Sequence, residues 1–308
     1  MPAGTLSPIE LPLIELSPGK LSPIETIDKN AHFPFCTLAD PSMETDSDWR
    51  ALGVEIYTGT ADSDPDAYRQ LYSDGHYVRK KVWETTHLTY GLRELGLLDG
   101  QATGLGVGCG VEPMLYYLAR HTQRLYATDM YGYHWISAQL DMLHHPEAYA
   151  PYPYPQDRLT MLQMNATQLL MPDETVDFVY SVSSIEHFGG LRIALAHVRE
   201  AARILKPGGI LAFSTEFILK QSGRDQNSLP SGLSDFFTRA TLEWLILNSG
   251  LERLGQWHLS PTPELIAMPA EIQLPEWTVP REHHDRLSSQ VDGVIFTDVT
   301  LFLRKGPK

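Results

Sequence analysis

Residues Ala102 to Pro113 read ATGLGVGCGVEP, an apolar strand that runs into glycines at 106, 108 and 110 and then into a helix. Glycines belong where a chain turns sharply and a ligand comes close to bare backbone at the amino end of a helix. A glycine-rich turn alone names no ligand, but its register removes two candidates. A GxGxxG fingerprint counted from Gly104 meets Cys109 at its third glycine, and counted from Gly106 it meets Val111. A phosphate-binding P-loop fails as well, because no Gly-Lys-Ser/Thr follows.

Outward from this turn, β-rich and helical segments alternate as a parallel sheet requires. Strands are expected at Ala102–Gly108, Arg124–Asp129, Leu159–Asn165, Val176–Ser183 and Gly209–Phe217, and helices near Glu112–Arg120, His134–His145 and Gly190–Leu205. Lys206-Pro207-Gly208-Gly209 closes the last helix. Asp129 ends the strand RLYATD. A carboxylate there, at the carboxyl edge of a parallel sheet, can accept hydrogen bonds from both ribose hydroxyls of an adenosine-containing ligand; capping the strand is the plainer alternative.

Residues 40–66 are acidic and punctuated and read as loop with short helical turns. A helical stretch follows over about Ala67–Leu98, with Gly100 as its stop. Beyond Lys220, QSGRDQNSLPSG reads as a loop or lid hinge, and a helix over Thr238–Asn248 ends at Gly250. The stretch VIFTDVTLFLRK, from Val294, is a closing strand. Residues 6–25 form four pentads, LSPIE, LPLIE, LSPGK and LSPIE, each with a proline that blocks helix and central strand. The segment reads as an extended tail, or as a strip whose spaced Leu and Ile contact the core, a partner or another copy.

With 308 residues, 43% of them hydrophobic, the chain can bury one catalytic core with additions around it. No apolar run reaches the roughly 20 residues of a membrane-spanning helix, and the first residues lack a signal peptide's pattern, so no membrane association and a cytoplasmic address are expected. A net charge of −14 without a basic patch argues against nucleic acid. The two cysteines, Cys36 and Cys109, form no CxxC pair, and the adjacent His144-His145 and His283-His284 are poor metal geometry, so no metal is expected.

Four stretches in order, GLGVGCGVEP, TDM at 128–130, QMNATQLLMPDETVDFVYSVSSIEHF and RILKPGGILAFST, resemble the motifs of class I, Rossmann-like S-adenosylmethionine-dependent methyltransferases. The resemblance covers about Gly91 to Phe217. It implies a doubly wound α/β fold, with a mostly parallel seven-stranded sheet, an antiparallel last strand, a helical N-terminal cap and extra C-terminal insertions. Its division of the chain is a Pro-rich extension (1–39), a cap and substrate segment (40–98), a core that binds S-adenosylmethionine (99–220), and a lid with closing strands (221–308).

Carried over residue by residue, Gly106, Gly108, Cys109 and Gly110 would line the methionine moiety, Asp129 would bind the ribose, and Met130 would pack on the adenine. Asn165 and the Ala166 backbone would meet the adenine amino edge, with a strand-end turn as the alternative for Asn165. Ser183 would approach the sulfonium. Two departures stand out: relatives commonly carry an acid where Gly106 stands and a glycine where Glu112 stands. Glu112 is therefore expected either to supply the missing carboxylate from the other side of the loop or to favour the helix's positive end.

Methyl transfer is a displacement at an activated carbon, so a protein must chiefly align the nucleophile and, for a hydroxyl, remove a proton. His187, with Glu186 beside it, follows the fourth core strand and is the first choice of base, against packing and hydrogen bonding. Trp83 and Glu84 of the cap could close the cofactor site or pack the core. Tyr131, Tyr133, Trp135, Tyr149, Tyr152 and Tyr154 could wall an acceptor pocket or fill loops. The expected activity is transfer to a small or medium polar acceptor, oxygen before nitrogen. The rivals are a catalytically silent scaffold that binds S-adenosylmethionine and a nicotinamide-dependent oxidoreductase.

Overall fold

A computed structural model describes residues 33–73, 77–132, 139–221, 236–266, 286–291 and 294–307. The pentad repeat, Tyr133, Trp135, most of the loop after Lys220, and His283 to Asp285 lie outside the described residues.

Central to the fold are β2 (Thr103–Val107), β3 (Arg124–Asp129), β4 (Leu159–Gln163), β5 (Val176–Ser181), β6 (Leu205–Gln221) and β10 (Val294–Lys305). They run in the order β4-β3-β2-β5-β6-β10. Pairs from β4 to β6 are parallel, and β10 is antiparallel to β6. Strand order reverses at β2, whose neighbours are β3 and β5, and such a switch opens a crevice at the carboxyl edge where ligands bind. Three short strands share the outer edge of β10: β9 (Ser288–Val291), β1 (Cys36–Leu38) and β7 (Leu251–Arg253). A further strand, β8 (Trp257–His258), pairs with β1. The expected sheet is therefore present, with its last position split among distant segments.

Helix α4 (Met114–His121) follows β2 and buries Met114 through Ala119, while α5 (Leu191–Ile204) precedes β6. The Lys206–Gly209 stop acts as expected: Ala194, Leu195, Val198, Ala201 and Ile204 face the core of α5, and Gly208 takes a φ of 80° beyond it. Helix α6 (Arg239–Ser249) begins at the side-chain cap of Thr238 and ends at Gly250 in the left-handed conformation. The expected 134–145 helix is not formed over its described part: a 3-10 turn, Leu140–Leu143, stands there, and a second, Pro146–Tyr149, starts just beyond it.

The N-terminal cap corrects the sequence reading most. Ser47–Thr58 is a helix, α1, rather than loop. Asp46 caps it by accepting from the amides of Asp48 and Trp49, and Gly59 ends it at φ 81°. Its buried Trp49, Leu52 and Ile56 recur at helical spacing, and each contributes about 1.5–3 kcal/mol on burial. The expected 67–98 helix is two: α2 (Pro65–Ser73) and α3 (Arg79–Glu94).

Helix α3 hides its character because its inner face is polar. Lys80, Glu84, Thr85, Thr86, His87 and Thr89 are all buried. The threonine hydroxyls donate back to carbonyls one turn earlier, Thr86 to Val82 and Thr89 to Thr85, both at 2.6 Å, which satisfies them without outside partners. Gly91 lets the helix lie on the Phe302 ring, where any Cβ would collide. This seats the N-terminal half of α3 over the carboxyl ends of β5 and β6.

Candidate active site

The glycine turn is fastened to β3 by its own amides. Gly108 and Cys109 donate to the Thr128 carbonyl at 2.8 and 3.1 Å, and Gly110 donates to Asp129 Oδ2 at 2.8 Å. With three successive N–H groups engaged, the turn offers no cradle for a pyrophosphate, which agrees with the broken dinucleotide register. Gly108 and Gly110 have φ values of 68° and 50°. Tyr131, fully buried, donates from its hydroxyl to the Gly110 carbonyl at 3.3 Å.

Gly106 has a packing reason. A Cβ there would strike Cys109 Sγ and stand 2.7 Å from the Tyr180 ring. The room in which relatives keep an acidic side chain is thus filled by Tyr180 and by the Cys109 thiol, which donates to Tyr180 Oη at 3.5 Å. The Cys109 side chain accordingly faces the core rather than a ligand, and a ligand can meet only its backbone. The exchanged acid, Glu112, stands at the start of α4 with Oε2 buried and without a hydrogen-bond partner among the described residues. Burial, reinforced by Glu84 and Asp129, pushes its carboxyl well above the usual range despite Lys81. Glu112 Oε2 thus keeps its lone pairs unused beside the turn.

Asp129 is half-buried at the end of β3. Its Oδ1 accepts from Met130 N at 2.6 Å and its Oδ2 from Gly110 N, so the carboxylate is held rigidly, each oxygen keeping a second lone pair. Burial raises its pKa and these two amides oppose the rise. Met130 leaves 36% of its surface exposed beside it.

Asn165 and Ala166 form a turn just past β4. Asn165 Oδ1 accepts from the amide and hydroxyl of Thr167 at 2.9 and 2.8 Å, so its carbonyl oxygen serves the turn and its amide nitrogen is the group left for a ligand. The Ala166 carbonyl bonds to the buried His197 Nδ1 at 3.1 Å. His197, held neutral because burial drops its pKa to about 4, also sets its ring edge against Phe188, two residues beyond Glu186. It was not foreseen, since a lone histidine inside a helix gives no sequence signal.

Where β5 ends, Ser183 takes a φ of 41°, rare for a residue with a side chain and held in place by bonds from its amide to the Ser214 carbonyl and hydroxyl. Its own hydroxyl donates to Glu84 Oε2 at 2.7 Å, as Ser214 does at 3.0 Å. Lys81 Nζ lies 3.1 Å from the same oxygen. Burial works against the charge, but Lys81, Asp298, Lys80 and Ser183 outweigh it and hold Glu84 at about 2. Of the cap pair, then, Glu84 faces the site, while Trp83 packs: it stacks on His87 at 4.6 Å and donates to the Asp40 carbonyl.

Glu186 and His187 occupy the 3-10 turn Ile185–His187. Glu186 is 1% exposed; Oε2 accepts from Thr215 at 2.9 Å, and Oε1 has no hydrogen-bond partner among the described residues. Burial raises its pKa to about 7 against the pull of Lys81. His187 is half-buried beside it. Of the expected aromatic wall, three members pack instead: Tyr131 is core, Tyr152 donates to the Ile56 carbonyl of α1, and Tyr154 lies against Tyr116.

A methyltransferase domain model matches residues 105–213, the span from β2 through the middle of β6. By that match residues 105–213 carry a methyltransferase domain. S-adenosylmethionine is its cofactor. A proposed sarcosine dimethylglycine methyltransferase from Galdieria sulphuraria shares the fold at TM-score 0.50 and 19% identity, covering 72% of this chain and 85% of that one. An S-adenosylmethionine-dependent methyltransferase from Mesorhizobium loti aligns at TM-score 0.46 with 20% identity, over 70% of this chain and 96% of that one. The [4+2]-cyclase SpnF aligns at 0.49 with 17% identity, over 90% and 99%. No curated protein matches the chain. No described helix is long and apolar enough to cross a membrane.

The donor and acceptor set fits S-adenosylmethionine: an unpartnered buried carboxylate at Glu112, a second carboxylate fixed at the β3 end, and an exposed thioether next to it. Replacing Glu112 by glutamine is expected to weaken S-adenosylhomocysteine binding about tenfold, the worth of one charge-assisted hydrogen bond, without lowering the unfolding temperature. Titration calorimetry and a thermal melt check both; unchanged affinity leaves Glu112 the helix-end role alone.

Proposed function

We propose that this methyltransferase acts on a hydroxyl of a small polar acceptor, with Glu186 as the base. The observation that carries this is the unpartnered, water-shielded Glu186 Oε1 at the end of β5, on a carboxyl raised to about 7. A group titrating there is matched to removing a proton at neutral pH. Bound S-adenosylmethionine supplies a methyl carbon already activated by the sulfonium. Asp129 would hold the ribose hydroxyls, Met130 one face of the adenine, the Asn165–Ala166 turn its edge, and Glu112 the methionine ammonium. Ser183 would set the Glu84 carboxylate near the sulfonium side. As the acceptor oxygen takes up that methyl group and the former carbon–sulfur electron pair stays on sulfur, Glu186 would accept the hydroxyl proton. His187, the first choice by sequence, lies next to Glu186 in the chain, and its charge acts on Glu216.

Calorimetry with S-adenosylmethionine, S-adenosylhomocysteine and NAD, followed by transfer of a labelled methyl group to small-molecule extract, tests the reading. Binding of NAD alone would overturn it, and cofactor binding without transfer would favour a silent scaffold. The site also predicts a pH effect on stability. Glu186 and Glu216, both raised by burial to about 7 from 4.5, keep protons in the fold that the unfolded chain releases. Their contribution to stability is full below about pH 4.5 and falls as pH rises to about 7, so the unfolding temperature should drop across that window.

A further inference from the structure

Pairing between β5 and β6 stops at Ser181 and Phe213, yet β6 continues, and Glu216 lies three residues past that point opposite Asp298 of β10. The gap above the end of β5 is closed by the turn that carries Glu186, so Glu216 and Glu186 stand at the same edge, where the acceptor must reach the methyl group. Thr215, next to Glu216, is the residue that holds Glu186. Glu216 is 6% exposed, and its Oε2, like Glu186 Oε1, has no hydrogen-bond partner among the described residues. Its other oxygen lies 3.7 Å from Lys80 Nζ, which sits nearer Asp298, at 3.1 Å.

Charge in this cluster does not close. Glu84, Glu186, Glu216 and Asp298 face Lys80 and Lys81, with His187 at the rim. Burial, then the Glu84 charge, raise the Asp298 carboxyl, which stands against Lys80. Glu84 is satisfied by two serines and Lys81. Four acids thus face two ammonium groups, and oxygens without a hydrogen-bond partner among the described residues remain on Glu186, Glu216 and Asp298, of which Asp298 has the nearer lysine. An unbalanced buried carboxylate is costly unless a cation or a proton completes it.

We propose that Glu216 binds a cationic amine of the methyl acceptor, so that the substrate is an amino alcohol whose reacting hydroxyl faces Glu186. This rests on the methyltransferase reading with Glu186 as base. The amine would take the place of the proton that burial otherwise keeps on Glu216, and would hold the acceptor by a group separate from the hydroxyl that faces Glu186. A neutral polyol could hydrogen-bond to Glu216 but would leave the charge open.

The test uses the full chain, labelled S-adenosylmethionine and small-molecule cell extract divided on cation and anion exchangers. Labelled product is expected in the cation-retained fraction. Glu216→Gln is expected to raise KM for that acceptor at least about tenfold while S-adenosylhomocysteine binds as to the wild type. Should the glutamine variant not fold, Glu216→Asp, which withdraws the charge by one methylene, is expected to raise KM in the same direction. Label found only outside the cation-retained fraction, or a wild-type KM in a folded Glu216 variant, overturns the amine assignment alone, whereas cofactor binding with no label in any fraction overturns the transferase reading as well. Failure to bind S-adenosylhomocysteine overturns the methyltransferase reading and this inference with it.

Discussion

Glu186→Gln is expected to lower kcat by about 10²- to 10⁴-fold, the usual contribution of a positioned base, with S-adenosylhomocysteine affinity unchanged. Glutamine keeps the bond from Thr215 to the oxygen at that position and removes only the proton acceptor, so the fold should survive. In the wild type, activity should rise with pH through about 7 as the carboxylate loses its proton, because burial raises it there. The variant should lose that limb. A profile of kcat against pH from 5 to 9 checks both. If His187 were the base instead, the limb would persist in Glu186→Gln and vanish in His187→Gln.

Asp129→Ala is expected to weaken cofactor binding about 10- to 100-fold, from the loss of charge-assisted bonds worth roughly 1.5–3 kcal/mol each. The substitution also frees the Gly110 and Met130 amides, so the glycine turn loses one of its ties to β3. Asp129→Asn separates the two effects. Its side-chain carbonyl can still accept from one amide, and an affinity near that of alanine would show that the charge, rather than the turn, carries the binding. Calorimetry with S-adenosylhomocysteine on both variants gives the answer.

Sequence reading succeeded where signals are local. The run Leu105–Gly110, the strand ending in Asp129 and the Lys206–Gly209 stop carry their conformations in adjacent residues, and the order of strands and helices then leaves few topologies. It failed in the cap. In α1 the Asp46 cap and the Gly59 stop were present but lay within an acidic, proline-flanked stretch that resembles loop. In α3 the apolar period is broken by threonines, Lys80 and Glu84, whose burial makes sense only against β6 and β10.

By itself the sequence determined the alternating strands and helices of the doubly wound core and the glycine turn after its first strand, because glycine, proline and alternating apolar residues act on their own neighbours, whereas the antiparallel sense of the closing strand was implied only by the family resemblance. Tertiary structure alone decided which acids meet, although Glu84 and Glu186 were candidates from the sequence. Glu84, Glu186, Glu216 and Asp298 come from a helix, a turn and two strands as far apart as residues 84 and 298, and nothing local marks them as neighbours. The exchange of Gly106 and Glu112 has the same origin: a Cβ at 106 is excluded by the Tyr180 ring from the adjacent strand, which only the assembled sheet brings there.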